Sequence, residues 1–170
     1  MKFVPNQPSL LAVTTANFYS PQQWQEGFKP GGLYFWDTDK LQLQEAIIGP
    51  FGIDMSVSTT GQYIAVVMDG NLYLWDVLQG EELFSVAIEA FQIGEVLLGE
   101  VLQLVLTDKY VATVNGNGVL AVWNLQGEFV GTLVTRHPIS ATAFLPNGDL
   151  VVAYFAENEA QVFEVWRLSH

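Results

Sequence analysis

The fold of this chain is decided by a short stretch, NLYLWD at residues 71–76, and by the places where its pattern recurs. Each recurrence is an apolar run that ends in tryptophan and a polar residue, and the other three are GLYFWD at 32–37, VLAVWN at 119–124 and QVFEVWR at 161–167. The tryptophans lie 39, 48 and 43 residues apart, at Trp36, Trp75, Trp123 and Trp166. Spacings of about 40–45 residues are typical of repeated units of four strands.

Strand and turn signals recur in phase with the tryptophans. Ahead of each one, two apolar runs rich in β-branched and aromatic residues flank a turn, and these turns lie at 3–6, 58–61, 106–109 and 145–148. After the second and third tryptophans, a Gln-Gly turn leads into a further apolar run. Short runs bounded by Gly, Asn, Asp and Pro are typical of strands. The sequence therefore predicts an all-β chain of about four units, at roughly 1–48, 49–90, 91–136 and 137–170.

One segment leaves its secondary structure open. Residues 88–106 are the best candidate for a helix, but Gly94 and Gly99 interrupt the segment. Its Val and Leu content suits a strand equally well. A short helical turn and a strand are therefore both compatible with this segment.

The repeated units resemble the WD-repeat (WD40) family of β-propellers, and the resemblance covers nearly the whole chain. It is clearest over residues 69–76, where Asp69 and Gly70 resemble the family's turn between the second and third strands, and the Trp-Asp ending follows. The resemblance implies that each unit is a blade of four antiparallel strands. It also implies that the chain is a protein–protein interaction scaffold and not an enzyme.

The polar residues of the chain depart from the family. Its blades often carry a buried hydrogen-bonding set, made of a His before the first strand, a Ser or Thr in the second, an Asp in the next turn and the Trp. Six residues before each tryptophan, where that Asp belongs, stand Pro30, Asp69, Asn117 and Ala160. Only Asp69 matches, and only His137 resembles the family's His. The resemblance thus assigns structural roles to Asp69, His137 and the four tryptophans, while the blades rely mainly on apolar packing.

Composition limits the classes of partner. The chain has 170 residues, with 18 acidic and 6 basic ones, and a net charge of −12. Nucleic acids and anionic membranes are disfavoured, because binding to phosphates requires clustered Lys and Arg. The sequence contains no cysteine, and no apolar run approaches the roughly 18 residues that span a bilayer. We therefore expect a cytoplasmic chain with protein partners.

Catalytic chemistry has little support in the sequence. His137 and His170 are the only histidines, too few for a metal cluster of several His, and Ser140 lacks a nucleophile-elbow pattern. Residues 115–118, NGNG, are a hairpin-turn signal and not a phosphate-binding loop. We therefore expect no catalytic residue, metal or cofactor. The alternatives are a propeller enzyme of the quinoprotein type, which residues 69–83 also resemble, and a gene fragment without independent function.

Four units are too few for the expected ring. Propellers close with about four to eight blades, and the WD resemblance implies seven or eight. Two hypotheses follow: the chain is the C-terminal half of a larger propeller, or two copies assemble into an eight-bladed ring. A closed four-bladed form is a third alternative.

Two insertions are expected on one face of the propeller. Residues 17–31 lie in the connection from the second to the third strand of the first unit, and residues 90–100 join the second unit to the third. The first insertion carries four aromatic residues that are candidate partner-binding anchors, Phe18, Tyr19, Trp24 and Phe28. The alternative is that they pack back onto their own blade.

Overall fold

The structure is a computed structural model. It describes residues 2–5, 7–15, 32–48, 52–68, 70–88, 92–93, 96–97, 101–157 and 160–168. Over these ranges the backbone is strand, turn or irregular, with no helix. The predicted all-β fold class is therefore confirmed.

The first two sheets contain four antiparallel strands each, adjacent in chain order. Sheet 1 consists of β1 (Lys2–Val4), β2 (Gln7–Thr15), β3 (Gly32–Asp37) and β4 (Gln42–Ile48). Sheet 2 consists of β5 (Gly52–Val57), β6 (Tyr63–Met68), β7 (Asn71–Asp76) and β8 (Glu81–Ala87). In each sheet the strands are called a, b, c and d in chain order, and the tryptophan lies on strand c.

The second half of the chain repeats this arrangement. A small hairpin comes first, formed by β9 (Gln92–Ile93) and β10 (Val96–Leu97). Sheet 3 consists of β11 (Val101–Leu106), β12 (Tyr110–Asn115), β13 (Val119–Asn124) and β14 (Phe129–Val134). Sheet 4 consists of β15 (Ile139–Phe144), β16 (Leu150–Phe155) and β17 (Gln161–Trp166), so strand c is its last strand within the described residues.

The sheets pack side by side through alternate residues of their strands. Each strand points successive side chains to opposite sides, and one apolar cluster fills each space between consecutive sheets. Between sheets 2 and 3, for example, Leu72 and Leu74 of β7 pack with Val111 and Trp123 of sheet 3. Strand a of sheet 3 lies beside strand a of sheets 2 and 4. The sheets therefore form an arc whose strands a are innermost.

Two β-bulges recur at fixed places in the repeat. In sheets 1, 2 and 3, the pairing of strands c and d shifts register immediately before the tryptophan. In sheets 2, 3 and 4, the pairing of strands a and b shifts register near the start of strand a. Because a bulge increases the local twist of a sheet, both bulges add twist at the same places in successive sheets.

Candidate interaction surfaces

A repeated turn explains the polar residue that follows the tryptophan. In sheet 2, one carboxylate oxygen of Asp76 accepts hydrogen bonds from the backbone N–H groups of Leu78 and Gln79, at 2.9 and 3.0 Å. Asp37 in sheet 1 and Asn124 in sheet 3 each accept two such bonds through one side-chain oxygen. These side chains fix the connection from strand c to strand d. The Asp or Asn after the tryptophan therefore has a structural role in each of the three turns.

One of these turns contains a strained leucine. Leu41 has φ 52°, in the position where the following two sheets have Gly80 (φ 68°) and Gly127 (φ 79°). This left-handed conformation costs a residue with a Cβ about 1–2 kcal/mol. The Leu41 side chain is also 76% exposed, so it gains little from burial in return.

The four tryptophans differ in their surroundings. Trp123 is fully buried between sheets 2 and 3, with its ring edge-on to Phe129 at 6.2 Å. Trp75 is partly buried. Trp36 is 39% exposed, and it lies on the opposite side of β3 from Phe35, which packs against sheet 2. The side of sheet 1 that carries Trp36 therefore faces away from the arc.

The clearest difference between repeats lies one and three residues before the tryptophan. In sheet 2 these positions hold Leu72 and Leu74, and both are fully buried against sheet 3. In sheet 3 they hold Leu120 and Val122, 1% and 2% exposed against sheet 4. In sheet 4 they hold Phe163 and Val165, which are 64% and 58% exposed.

These two residues belong to a continuous apolar face of sheet 4. Cross-strand partners share one side of a sheet, and the register places seven apolar residues and Gln161 on the side opposite to sheet 3. We call the apolar part of this side the end face, formed by Ala141, Ala143, Val151, Ala153, Phe155, Phe163 and Val165. Large apolar residues are rarely grouped on a free surface without a binding role. The end face is therefore the first candidate interaction surface.

A groove beside the end face is the second candidate interaction surface. β17 is the last strand of sheet 4 in the described part of the chain. Between β17 and strand d of sheet 3 lies a groove of about 170 Å³, lined by Val130, Thr132, Leu133, Trp166 and Leu168 among others. An exposed strand edge of this kind can pair with an added strand.

A polar chain in sheet 4 includes the predicted structural His137. The His137 ring stacks on the Tyr154 ring, with centroids 5.9 Å apart and an angle of 19° between the planes. The Tyr154 hydroxyl donates to Glu164 Oε1 at 2.6 Å, and Trp166 Nε1 donates to Glu164 Oε2 at 3.3 Å. The hydrogen bond to the Glu164 carboxylate raises the pKa of Tyr154. Glu164 therefore links strand b to the tryptophan in this sheet.

A hydrogen-bonded clasp joins sheets 2 and 3 at the turns between their strands a and b. Asp108 accepts hydrogen bonds from the Thr59 hydroxyl at 2.6 Å and from the Thr60 hydroxyl. Burial alone would raise the pKa of Asp108, but hydrogen bonds from Thr59, Thr60 and Ser58 outweigh burial and lower the pKa. The carboxylate is thus ionised at neutral pH and fixes the relative position of the two turns.

An open cleft of about 480 Å³ lies beside this clasp. It runs between the a–b turns of sheets 3 and 4, where Tyr110 and Phe144 stack with ring centroids 6.5 Å apart. Lys109 and Pro146 also line the cleft, and both are exposed. The cleft is therefore an open surface lined by aromatic, proline and charged side chains.

Two further features concern metal binding and the crossing of a membrane. Within the described ranges, no group of three or more His, Asp or Glu side chains is placed to hold a metal ion. No helix in the described part of the chain is long and apolar enough to cross a membrane.

The predicted partner-binding residues fall outside the described structure. Phe18, Tyr19, Trp24 and Phe28 lie in the 16–31 gap, and Asp69 lies in a gap between β6 and β7. The strands on either side place the 16–31 segment between strands b and c of sheet 1, as the sequence predicts. The sequence analysis missed the end face, although the apolar residues before Trp166 were visible in it.

Comparison with solved structures identifies the architecture. One match is a chain of the "Crystal Structure of Mitotic Checkpoint Complex", with a TM-score of 0.62 and 16% identity over 82% of this chain and 43% of that chain. Another is the "Crystal structure of RRP9 WD40 repeats", with a TM-score of 0.59 and 14% identity over 78% and 46%. The chain has the fold of WD40-type propeller blades. At these identities, the likeness concerns the fold alone.

The chain also matches a third propeller structure. The structure of BamB from Moraxella catarrhalis gives a TM-score of 0.56 and 13% identity over 82% of this chain and 40% of that chain. The chain thus spans less than half the length of each of these three solved structures. No protein-family model matches the sequence, and no curated protein matches it.

Proposed function

We propose that this chain is a non-enzymatic protein-interaction scaffold, and that it acts as part of a larger propeller. One observation carries the proposal: the end face of sheet 4 repeats the apolar pattern that is buried in sheets 2 and 3, but it lacks a neighbour within the described structure. A surface that is patterned for burial and left exposed is a binding surface or an aggregation hazard. The blades that cover it come either from another part of a longer protein or from a second copy of this chain.

The side chains on the described surfaces favour binding over catalysis. Asp108 is occupied by the hydroxyl groups of Thr59 and Thr60, and Glu164 by Tyr154 and Trp166. In both places the carboxylate holds neighbouring strands or turns of the fold in position, which is a structural role. An enzyme of the quinoprotein type predicts a bound chromophore, so an absorbance spectrum with a band beyond the aromatic region would contradict the proposal.

The aromatic insertion at residues 17–31 is the proposed site for an outside partner. It joins strands b and c of sheet 1, on the rim opposite to the turns that carry Asp37 and Asp76. Aromatic side chains in a connecting loop supply large contact areas at low cost in side-chain entropy.

The site is tested by changing Trp24 and Phe28 together to Ala. We expect the double variant to lose the proteins that the immobilised wild-type chain captures, with an unchanged circular dichroism spectrum. Leu78→Ala is the matched control, because Leu78 is 68% exposed in a turn on the other rim. Equal capture by the double variant and the wild type would remove this loop as the binding site.

A further inference from the structure

We infer that the end face of sheet 4 binds the outer side of sheet 1 in a second copy of the chain, so that two copies form one eight-bladed ring. The inference rests on the proposed scaffold function, because it names the partner that supplies the missing neighbours. It commits to head-to-tail contact, in which sheet 4 of each copy meets sheet 1 of the other.

The end face repeats the residue pattern of the interfaces inside the arc. Phe163 and Val165 stand three residues and one residue before Trp166, as Leu120 and Val122 stand before Trp123. The latter pair is covered by sheet 4, where Ile139, Leu150 and Val152 complete the cluster. The end face therefore has the pattern of a surface that packs against the following sheet.

The other end of the arc, the outer side of sheet 1, is complementary to the end face. Trp36 is the first tryptophan of the series, and its ring lies on the side of sheet 1 that faces away from sheet 2. Trp123, at the same repeat position, packs against the preceding sheet and is fully buried. Trp36 is therefore placed to pack against a preceding sheet, which the end face of a second copy supplies.

Charge bears on this contact as well. The chain carries a net charge of −12, which opposes association of two copies wherever acidic groups meet. All seven residues of the end face are apolar, and Gln161 on the same side of the sheet is uncharged. Sheet 4 therefore places no carboxylate in the contact, so its own side chains do not oppose association of two copies.

The number of blades agrees with this arrangement. About four-fifths of this chain matches 40–46% of each of the three solved structures described above, so two copies supply about one complete ring. A twofold axis then repeats the contact between sheets 4 and 1 twice, and both ends of both copies are covered. Eight blades lie within the range in which propellers close.

The first measurement is the solution mass of the full chain by light scattering over a concentration series. We expect a dimer, with twice the 18.8 kDa of one chain. Phe163→Lys and Trp36→Lys each place a charge inside the contact, and we expect either change to weaken the dimer at least about 100-fold. Leu78→Lys is the control, since it adds the same charge in an exposed turn, and we expect its mass to match the wild type.

A mixing experiment tests the head-to-tail arrangement. Phe163→Lys retains an intact sheet 1 and Trp36→Lys an intact end face, so an equal mixture has one functional contact. We expect the mixture to form a mixed dimer at concentrations where each variant alone is monomeric. Circular dichroism and thermal unfolding of both variants verify that the monomers are folded.

The outcomes separate the possible occupants. A monomeric or undefined, aggregating wild-type chain would overturn the inference, but the Trp24 and Phe28 capture test would still decide the scaffold function. If Phe163→Lys breaks the dimer and Trp36→Lys does not, two end faces or two β17 edges meet each other, and the head-to-tail contact is wrong. Failure of the mixture to associate would also overturn it.

Discussion

Sheets 3 and 4 are built from the same sequence pattern, but they end in different environments. Strand c of sheet 3 places Leu120 and Val122 against the next sheet, and both are buried. Strand c of sheet 4 places Phe163 and Val165 in the same repeat positions, and both are mostly exposed. The sequence of a repeat thus specifies which face is apolar, while the presence of the next repeat determines whether that face is buried.

The largest effect is expected for Leu120→Ala, which changes a residue of sheet 3 that is buried against sheet 4. The change removes buried methyl groups and leaves a cavity between sheets 3 and 4, so we expect a loss of about 2–5 kcal/mol in the free energy of unfolding. Denaturant titration at a fixed protein concentration measures the loss. A loss below about 1 kcal/mol would mean that sheets 3 and 4 are not packed as described.

The clasp between sheets 2 and 3 gives the next largest effect. Asp108→Ala leaves the hydroxyl groups of Thr59 and Thr60 without their acceptor, and we expect a loss of about 1–3 kcal/mol at neutral pH. Thermal or denaturant unfolding of the variant measures it. Asp149→Ala is the control, because Asp149 lies in the corresponding turn of sheet 4 and, among the described residues, its side chain bonds only to its local neighbour Asn147.

The same clasp predicts a dependence on pH. The pKa of Asp108 in the folded chain lies below its ordinary value of 3.8. Its ionised form therefore stabilises the fold above that pH, and the contribution is lost as the pH falls through the folded-state pKa. We expect the wild type to lose more stability than Asp108→Asn between about pH 5 and about pH 2. Parallel curves for the two proteins would contradict this assignment.

A smaller gain is expected at the strained turn of sheet 1. Leu41→Gly releases the left-handed strain, and we expect stabilisation of about 1 kcal/mol, measured by denaturant titration. Gly80→Ala is the matched reverse change in sheet 2, because an added Cβ meets no atom within 4 Å and only the backbone conformation resists it. We expect that variant to be destabilised by a similar amount, and a neutral result would show that the turn relaxes.

The smallest effect is expected on the exposed side of the comparison. Phe163→Ala, measured on a dilute monomer, should change the free energy of unfolding by no more than about 0.5 kcal/mol, since surface substitutions rarely do more. The residue stands at the same repeat position as Leu120, so the two alanine variants form a direct contrast. A loss of several kcal/mol at Phe163 would mean that the end face is covered even in the monomer.

Much of the fold could be predicted from the sequence. The spacing of Trp36, Trp75, Trp123 and Trp166 gave the number of units, and the turns before them gave strands a and b. These features are local, since strand alternation and turn chemistry are contained in a few consecutive residues. The open assignment at residues 88–106 is a hairpin and strand a of sheet 3 where the chain is described.

The contacts between units could not be predicted in this way. The clasp joins Thr59 to Asp108, 49 residues apart in the chain, and no local pattern connects them. The Glu164 link to Tyr154 and Trp166 replaces a polar set that the family comparison would place at other positions. The end face was hidden for another reason: Phe163 looks like Leu120 in sequence, and only the three-dimensional neighbours distinguish them.

The recurring bulge before the tryptophan has a consequence for the physical state of the protein. These bulges, in sheets 1, 2 and 3, increase the local twist of their sheets. An arc with complementary ends closes only if the rotations from one sheet to the next complete a full turn, and otherwise it grows into an open helical filament. We therefore expect a change in twist at these bulges to favour the filament over the closed ring. Insertions or deletions beside these bulges should be judged by the polymers that they produce as well as by stability.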